Sequence, residues 1–263
     1  MTMLNVVMTH LRAPAVSDAL RYLRGIAPEA RFAICHVGER SDFSELEHED
    51  KVFVDDPSFR LPPRTFQSFH ETFAALYDRF FKEDTTLHSM YLFEYDHMIL
   101  DGQFEEHITK LASETGADLL GKTCGERTGT NWMHYVRFRR DERLLAHLRA
   151  LSVHEDATRM YGCLGNGFWL KRAALEAYLS VEEHPLCYGE LYLPTLLHHL
   201  GFRLVDIDAH SDLYRRVRPD GEFTLSELVR LKHAGETFVH PYKGPSGIPA
   251  LRRIAETASA AST

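Results

Sequence analysis

The chain has only four cysteines in 263 residues, Cys35, Cys124, Cys163 and Cys187, and no two form a C-x-x-C pair. That leaves little support for a zinc knuckle, and the scatter predicts reduced, buried thiols of the kind found in cytosolic proteins. Basic residues are in deficit: 30 Lys and Arg stand against 38 Asp and Glu, a formal net charge of -8. Extended duplex binding normally needs a basic excess, so a nucleic-acid partner is not expected. No apolar run approaches the ~20 residues of a membrane helix, and Met1 to Leu11 lacks the basic and long apolar segments of a signal peptide. A His-Glu-x-x-His zinc signature, a Gly-x4-Gly-Lys-Ser/Thr phosphate loop and a Gly-x-Gly-x-x-Gly after the first strand are all missing. Their absence argues against a metalloprotease, a P-loop kinase and a dinucleotide oxidoreductase.

What is there reads as one α/β protein. Hydrophobic residues make up 44% and charged residues 26%, ordinary values for a globular chain able to bury a sizeable core. Leu4 to Met8 reads as a strand. A helix over Asp18 to Ile26, capped by Ser17, and a strand over Arg31 to Val37 complete a βαβ unit. Lys51 to Asp56 is a short strand ending in acids. An aromatic amphipathic helix spans Phe66 to Phe81, and Ser89 to Phe93 is the next strand. Further on, the pattern predicts helices over Asp101 to Thr115 and Asp141 to Leu151. A strand over Ala117 to Gly121 and a polar loop from Gly121 to Trp132 lie between them. A glycine-rich strand over Tyr161 to Leu170 leads into a helix over Lys171 to Leu179. Leu191 to Leu200 is a helix closing at Gly201, followed by a strand over Phe202 to Ile207. No internal repeat and no dividing linker is visible, and Ala255 to Thr263 is expected to fray.

Open parallel sheets bind ligands at the carboxyl ends of their strands. Polar residues collect at those ends: Thr9, His10 and Arg12; His36, Glu39 and Arg40; Asp55 and Asp56; Glu94 and Asp96. The last pair is the most informative. In Met90-Tyr91-Leu92-Phe93-Glu94-Tyr95-Asp96, two carboxylates follow a buried run and share one face in an extended segment. Two like charges there are tolerable with a divalent cation between them, or as solvated acids in a turn.

The order of these pieces resembles the GT-A glycosyltransferases, which use nucleotide sugars. Phe93-Glu94-Tyr95-Asp96 is similar to that family's acid-any-acid motif at the end of the fourth strand. The resemblance implies Mn²⁺ or Mg²⁺ held by Asp96, with Glu94 on the metal, the ribose or a metal-bound water. Tyr161 to Leu175 looks like the glycine-rich acceptor-side strand and its helix, implying acceptor contacts at Gly165, Asn166 and Trp169. Trp169 by itself reads first as a core residue, the usual fate of such a ring. Gly189-Glu190-Leu191, running to Leu200-Gly201-Phe202, resembles the stretch that carries the family's catalytic acid. The family usually has two acids where this chain has Gly189-Glu190; Glu190 would be the general base. Phe238 to Gly244 offers His240 as a third metal ligand and Lys243 for phosphates. By the same resemblance Thr9, His10, Arg12, Arg40, Asp55, Asp78, Tyr95 and Glu94 fall on the nucleotide-sugar side. Arg79 is a further candidate, and Arg215, Arg216 and Arg218 read either as a lid over diphosphate or as a solvated loop.

The expectation is therefore a single GT-A-like domain over residues 1–254, with a nucleotide-binding half to about residue 100, an acceptor half beyond it, and a flexible tail over 255–263. Its fold class is α/β, a Rossmann-like open, mostly parallel sheet flanked by helices. Its reaction is metal-dependent transfer of a sugar from a nucleotide-diphosphate sugar to a saccharide or other hydroxyl acceptor, with inversion. It is expected in the cytoplasm, with peripheral attachment to the inner membrane face and homo-oligomer formation left open. A nucleotidyltransferase that makes a nucleotide sugar, and a non-catalytic binding protein of the same shape, are the alternatives. The first would usually carry a glycine-rich basic loop after strand one, where Thr9 to Val16 has only Arg12 and no glycine.

Overall fold

A computed structural model describes residues 2–55 and 69–244. Seven strands form the central sheet: β1 (Thr2–Thr9), β2 (Arg31–His36), β3 (Lys51–Phe53), β4 (Leu87–Glu94), β6 (Leu119–Gly121), β9 (Gly167–Lys171) and β10 (Leu204–Asp206). Their spatial order is β10-β6-β9-β4-β1-β2-β3. β3, β2, β1 and β4 run parallel, as do β6 and β10, while β9 runs antiparallel between β4 and β6. The expected open, mostly parallel sheet with flanking helices is the observed one.

β4 is buried almost end to end, as a central strand covered on both faces must be. Side chains alternate between two cores. Val7, Tyr91, Phe93 and Trp169 enter one; Leu4, Val6, Leu92, Phe168 and Leu170 enter the other. Helix α1 (Ala13–Ile26) lays Val16, Leu20, Tyr22 and Leu23 on the first core. Each such fully buried side chain contributes ~1.5–3 kcal/mol of transfer free energy. α1 begins five residues before the expected Asp18 because Pro14 sits in its first turn, where a missing N–H costs nothing.

Other departures also have local causes. The expected strand over Tyr161 to Leu170 breaks into β8 (Tyr161–Gly162) and β9. In the turn between them, Cys163 N bonds Glu190 O and Leu164 N bonds Lys122 O, so the backbone donors serve other segments. β8 pairs instead with β7 (Gly125–Glu126), inside the stretch expected to be a loop. Strand β3 stops at Phe53, and Asp56 lies outside the described residues. The aromatic helix is seen as α3 (His70–Leu76) and a π-helical turn over Tyr77–Phe81, its expected start at Phe66 lying outside the described residues. α2 (Arg40–Glu45), α5 (Met133–Phe138) and α9 (Leu225–His233) are additional. α4 (Phe104–Thr115), α6 (Glu142–Leu151), α7 (Arg172–Leu179) and α8 (Gly189–His199) occupy expected places. All four cysteines are free and buried.

Two short strands matter most for function. β5 (Met98–Ile99) follows β4 after a tight turn, and β11 (Phe238–Val239) pairs antiparallel with it, Val239 opposite Met98 and Phe238 opposite Ile99. This ladder ties residues just after β4 to residues far along the chain. No helix among the described residues is long and apolar enough to cross a membrane.

Candidate active site

The site lies where the parallel strands end. Glu94 is the last residue of β4, and its N–H bonds Asn166 O at 3.0 Å. The chain then turns: Tyr95 N bonds Met8 O at 3.0 Å and His97 N bonds Glu94 O at 2.9 Å. Asp96 occupies that turn and is 4% exposed. The β5–β11 ladder brings His240 beside it. Tyr242 N bonds Asp96 O at 2.9 Å, and His240 Nε2 lies 3.4 Å from Asp96 Oδ1 and 4.0 Å from Glu94 Oε2. One donor atom from each of the three residues lies within 4.8 Å of the others.

The chemistry of these donors fits a cation. Asp96 Oδ1 is buried with no hydrogen-bond partner among the described residues. His240 Nδ1 lies 2.7 Å from the Arg218 carbonyl oxygen. A carbonyl only accepts, so Nδ1 carries the proton and Nε2 turns its lone pair toward the acids. Two carboxylates and an imidazole lone pair facing one point repel one another unless a positive charge stands between them. The Glu94 carboxyl is pushed above its ordinary range, first by its place in the cavity wall and then by Asp96, with His240 opposing. Two oxygen donors with one imidazole suit Mn²⁺ better than Mg²⁺.

The triad opens on a cavity of about 550 Å³. Thr9, His10 and Tyr95 line one side with the turn after β2, Val37 to Glu39. The His10 and Tyr95 rings meet edge to face at 4.9 Å. Gly38 is required there, because a Cβ would stand 2.8 Å from the His10 carbonyl oxygen. Phe69, Gly165, Tyr188 and Glu190 form the opposite wall, and Lys243 lies at the rim beside Glu94. Glu190 sits in the first turn of α8 and its Oε1 accepts from Gly165 N at 2.8 Å. A Cβ on Gly165 would stand 3.2 Å from Glu190 Cγ, closer than a side chain there normally sits. Burial raises the Glu190 carboxyl above its ordinary range, partly offset by that N–H, His240 and Arg127.

No family model matches the sequence, and no curated protein matches it. Among the solved structures with a similar course of the chain are glycosyltransferases. Galactosyltransferase LgtC, solved with donor and acceptor sugar analogues, is 11% identical with a TM-score of 0.39, over 98% of this chain and 96% of that one. A glycosyltransferase involved in glycosylation of the major capsid of PBCV-1 is 8% identical with a TM-score of 0.44, over 98% and 100%. At such distances, what this chain does has to be read from its own residues.

Of the residues singled out from the sequence, Thr9, His10, Tyr95, Glu94, Asp96, Gly165, Glu190 and Lys243 line the cavity. His240 joins them through the triad. Others stand elsewhere. Trp169 is 6% exposed in the middle of β9, opposite Tyr91 and Leu120, and borders a separate hollow of about 490 Å³ beside α4 and α7. Its place in the strand points it off the sheet face rather than over the sheet's end, so an acceptor contact is corrected to core packing. Asn166 is buried with its side-chain amide 2.9 Å from His240 Nδ1; because Nδ1 carries a proton, the amide braces the histidine with its otherwise unpartnered oxygen turned to that N–H, rather than facing an acceptor.

Arg12 is an exposed residue at the N-terminus of α1 whose carbonyl accepts the first helical N–H groups. The Arg40 guanidinium lies 4.2 Å over the Phe53 ring. Asp78 pairs with Lys82 at 3.2 Å, Arg79 donates to Glu49 O, and Asp55 is exposed past β3. None of these lines the cavity. Arg215 and Arg216 do not form a lid: both guanidinium groups are turned onto Glu236 at 2.7 and 3.0 Å. Arg218 stacks on Phe223 at 3.9 Å. Tyr188 and Gly38 went unread in the sequence, although an aromatic before Gly189-Glu190 and a glycine after a buried strand were both visible. Phe69 carried no signal.

Proposed function

We propose that the chain is a metal-dependent glycosyltransferase that moves a sugar from a nucleotide-diphosphate sugar to a hydroxyl acceptor with inversion. The observation that carries this reading is the Glu94–Asp96–His240 donor set, with its unpartnered buried oxygen, in the same cavity as the Glu190 carboxylate. Bound there, a Mn²⁺ ion would offset negative charge on a diphosphate. The His10, Tyr95 and Val37–Glu39 wall suits a nucleoside, and the Lys243 ammonium adds positive charge on the diphosphate side.

Glu190 takes the proton of the acceptor hydroxyl. The acceptor oxygen then bonds the anomeric carbon, and the bond to the diphosphate oxygen breaks, its electron pair leaving with the diphosphate. The Gly165 N–H fixes Oε1 of Glu190 and so orients the carboxylate, while burial raises its basicity toward the working range of a general base. Tyr188, beside it, offers a ring and a hydroxyl to the acceptor side.

Thermal shift with a panel of nucleoside diphosphates, with and without Mn²⁺, tests the reading. Stabilisation that needs both components together is expected. Nucleotide binding indifferent to Mn²⁺, or no binding by any diphosphate, would sink it. NMR of the product's anomeric proton distinguishes inversion from retention.

A further inference from the structure

We propose that Glu236 is a positioning residue for His240, acting through Arg215 and Arg216. The inference rests on the reading of Glu94, Asp96 and His240 as metal ligands. Glu236 stands at the start of the segment that carries β11, and His240 stands directly after that strand. The Glu236 side chain is 4% exposed, yet it carries a full carboxylate. Its two oxygens divide between two partners: Oε2 accepts from Arg215 Nε at 2.7 Å and Oε1 from Arg216 Nε at 3.0 Å. Burial alone would raise the carboxyl, but the two guanidinium groups outweigh it and hold Glu236 below the usual range.

The clamp fixes the segment that addresses His240. Val217 bridges His240 in parallel. His240 N donates to Arg216 O at 3.2 Å and Arg218 N donates to His240 O at 3.2 Å. The next carbonyl, that of Arg218, accepts the Nδ1–H of His240 at 2.7 Å. On the other flank, β11 is fixed to β5, and β5 to the Asp96 turn. His240 therefore lies between a strand that sets its distance to Asp96 and a strap that sets its tautomer and ring plane. Glu236 is the carboxylate that hydrogen-bonds the guanidinium groups of both Arg215 and Arg216 in that strap. An imidazole whose outer N–H is held this way presents a better oriented and more basic lone pair to a metal.

The test is Mn²⁺ affinity, read from the EPR signal of free Mn²⁺, on folded protein well below its melting temperature. Glu236→Gln keeps the size of the side chain and removes the charge that holds both arginines. The double variant Arg215→Gln/Arg216→Gln removes the same clamp from its half-exposed side and decides the matter if the first variant misfolds. Both are expected to weaken Mn²⁺ binding about 10-fold, the lower end of outer-shell effects. Lys110→Gln, which loses an exposed pair with Glu114 on α4, is expected to bind as the wild type does. A purely structural clamp would lower the melting temperature and leave the Mn²⁺ affinity of the folded protein unchanged. Wild-type Mn²⁺ binding with unchanged affinity in the double variant overturns the inference alone. Failure of the wild type to bind Mn²⁺ overturns the metal reading and the inference with it.

Discussion

Two of the imidazole clusters with unpartnered polar atoms among the described residues differ in one respect. At the strand ends, His240 faces Glu94 and Asp96, and Asp96 Oδ1 has no hydrogen-bond partner. Beyond α7, the His70 and His184 rings lie 4.3 Å apart between centroids, and His70 Nδ1 and His184 Nε2 have no hydrogen-bond partner among the described residues. The second cluster has nitrogens and ring faces, its one acting carboxylate, Glu183, bears on His147, and among the described residues no three metal-ligating groups converge there. Tyr192 bonds His184 Nδ1 at 3.0 Å and His147 Nε2 at 2.9 Å, and Tyr178 stacks on His184 at 4.6 Å. Burial, then His70 and His147, push His184 down to about 4. The lesson is that an orphaned donor atom marks a cation site only where negative charge gathers with it; imidazoles alone settle as neutral rings.

The sharpest break of that comparison is Asp96→Ala. It should cost more Mn²⁺ affinity than the ~10–100-fold typical of outer-shell changes, while His184→Phe binds Mn²⁺ as the wild type does. Equal binding by both variants would erase the difference between the two places. Glu190→Gln should come next. It keeps Mn²⁺ and nucleotide binding and lowers kcat by roughly 10²–10⁴-fold, the usual contribution of a general base. Transfer at the wild-type rate would put the base elsewhere.

The smallest effect is on acid stability. The folded pKa of His184 is depressed, so the unfolded chain binds a proton first as pH falls. Stability is present above the unfolded value near 6.5 and is lost as pH falls toward 4. His198, also pushed down to about 4 by burial and then by His154 and His199, adds in the same direction. His184→Phe should flatten the slope of unfolding free energy in that window by at most about 1.4 kcal/mol per pH unit, one proton's worth. Denaturant melts at pH 7 and pH 5 measure it, and an unchanged slope would show that His184 is not the group responsible.

Local patterns made the frame legible. The buried run of β4 ending in Glu94-Tyr95-Asp96, the βαβ start and the helix opening near Glu190 each depend on residues close in sequence. What stayed hidden depends on partners far away. Arg215 and Arg216 looked like candidates for phosphate because nothing nearby announces Glu236 twenty residues on. For Trp169 the glycine-rich neighbours allow either core packing or an acceptor contact, and its position within an antiparallel strand, set by distant partners, decides where it points. The segment of α9 was readable and overlooked: Thr224 and Glu227 form a reciprocal capping box in Thr-Leu-Ser-Glu.

The two-residue ladder between β5 and β11 also sets an order of assembly. It closes a loop from Asp96 to His240, and three strands of the central sheet, β6, β9 and β10, lie between those ends in sequence. Contacts so far apart pay their entropy late, after the local strands and helices have formed. A growing chain that stops short of residue 236 already carries both acids and the Glu190 wall but has no imidazole to complete the set. On the proposed metal reading, competence therefore arises only once His240 is in place, and a chain interrupted before it exposes like charges with nothing to balance them.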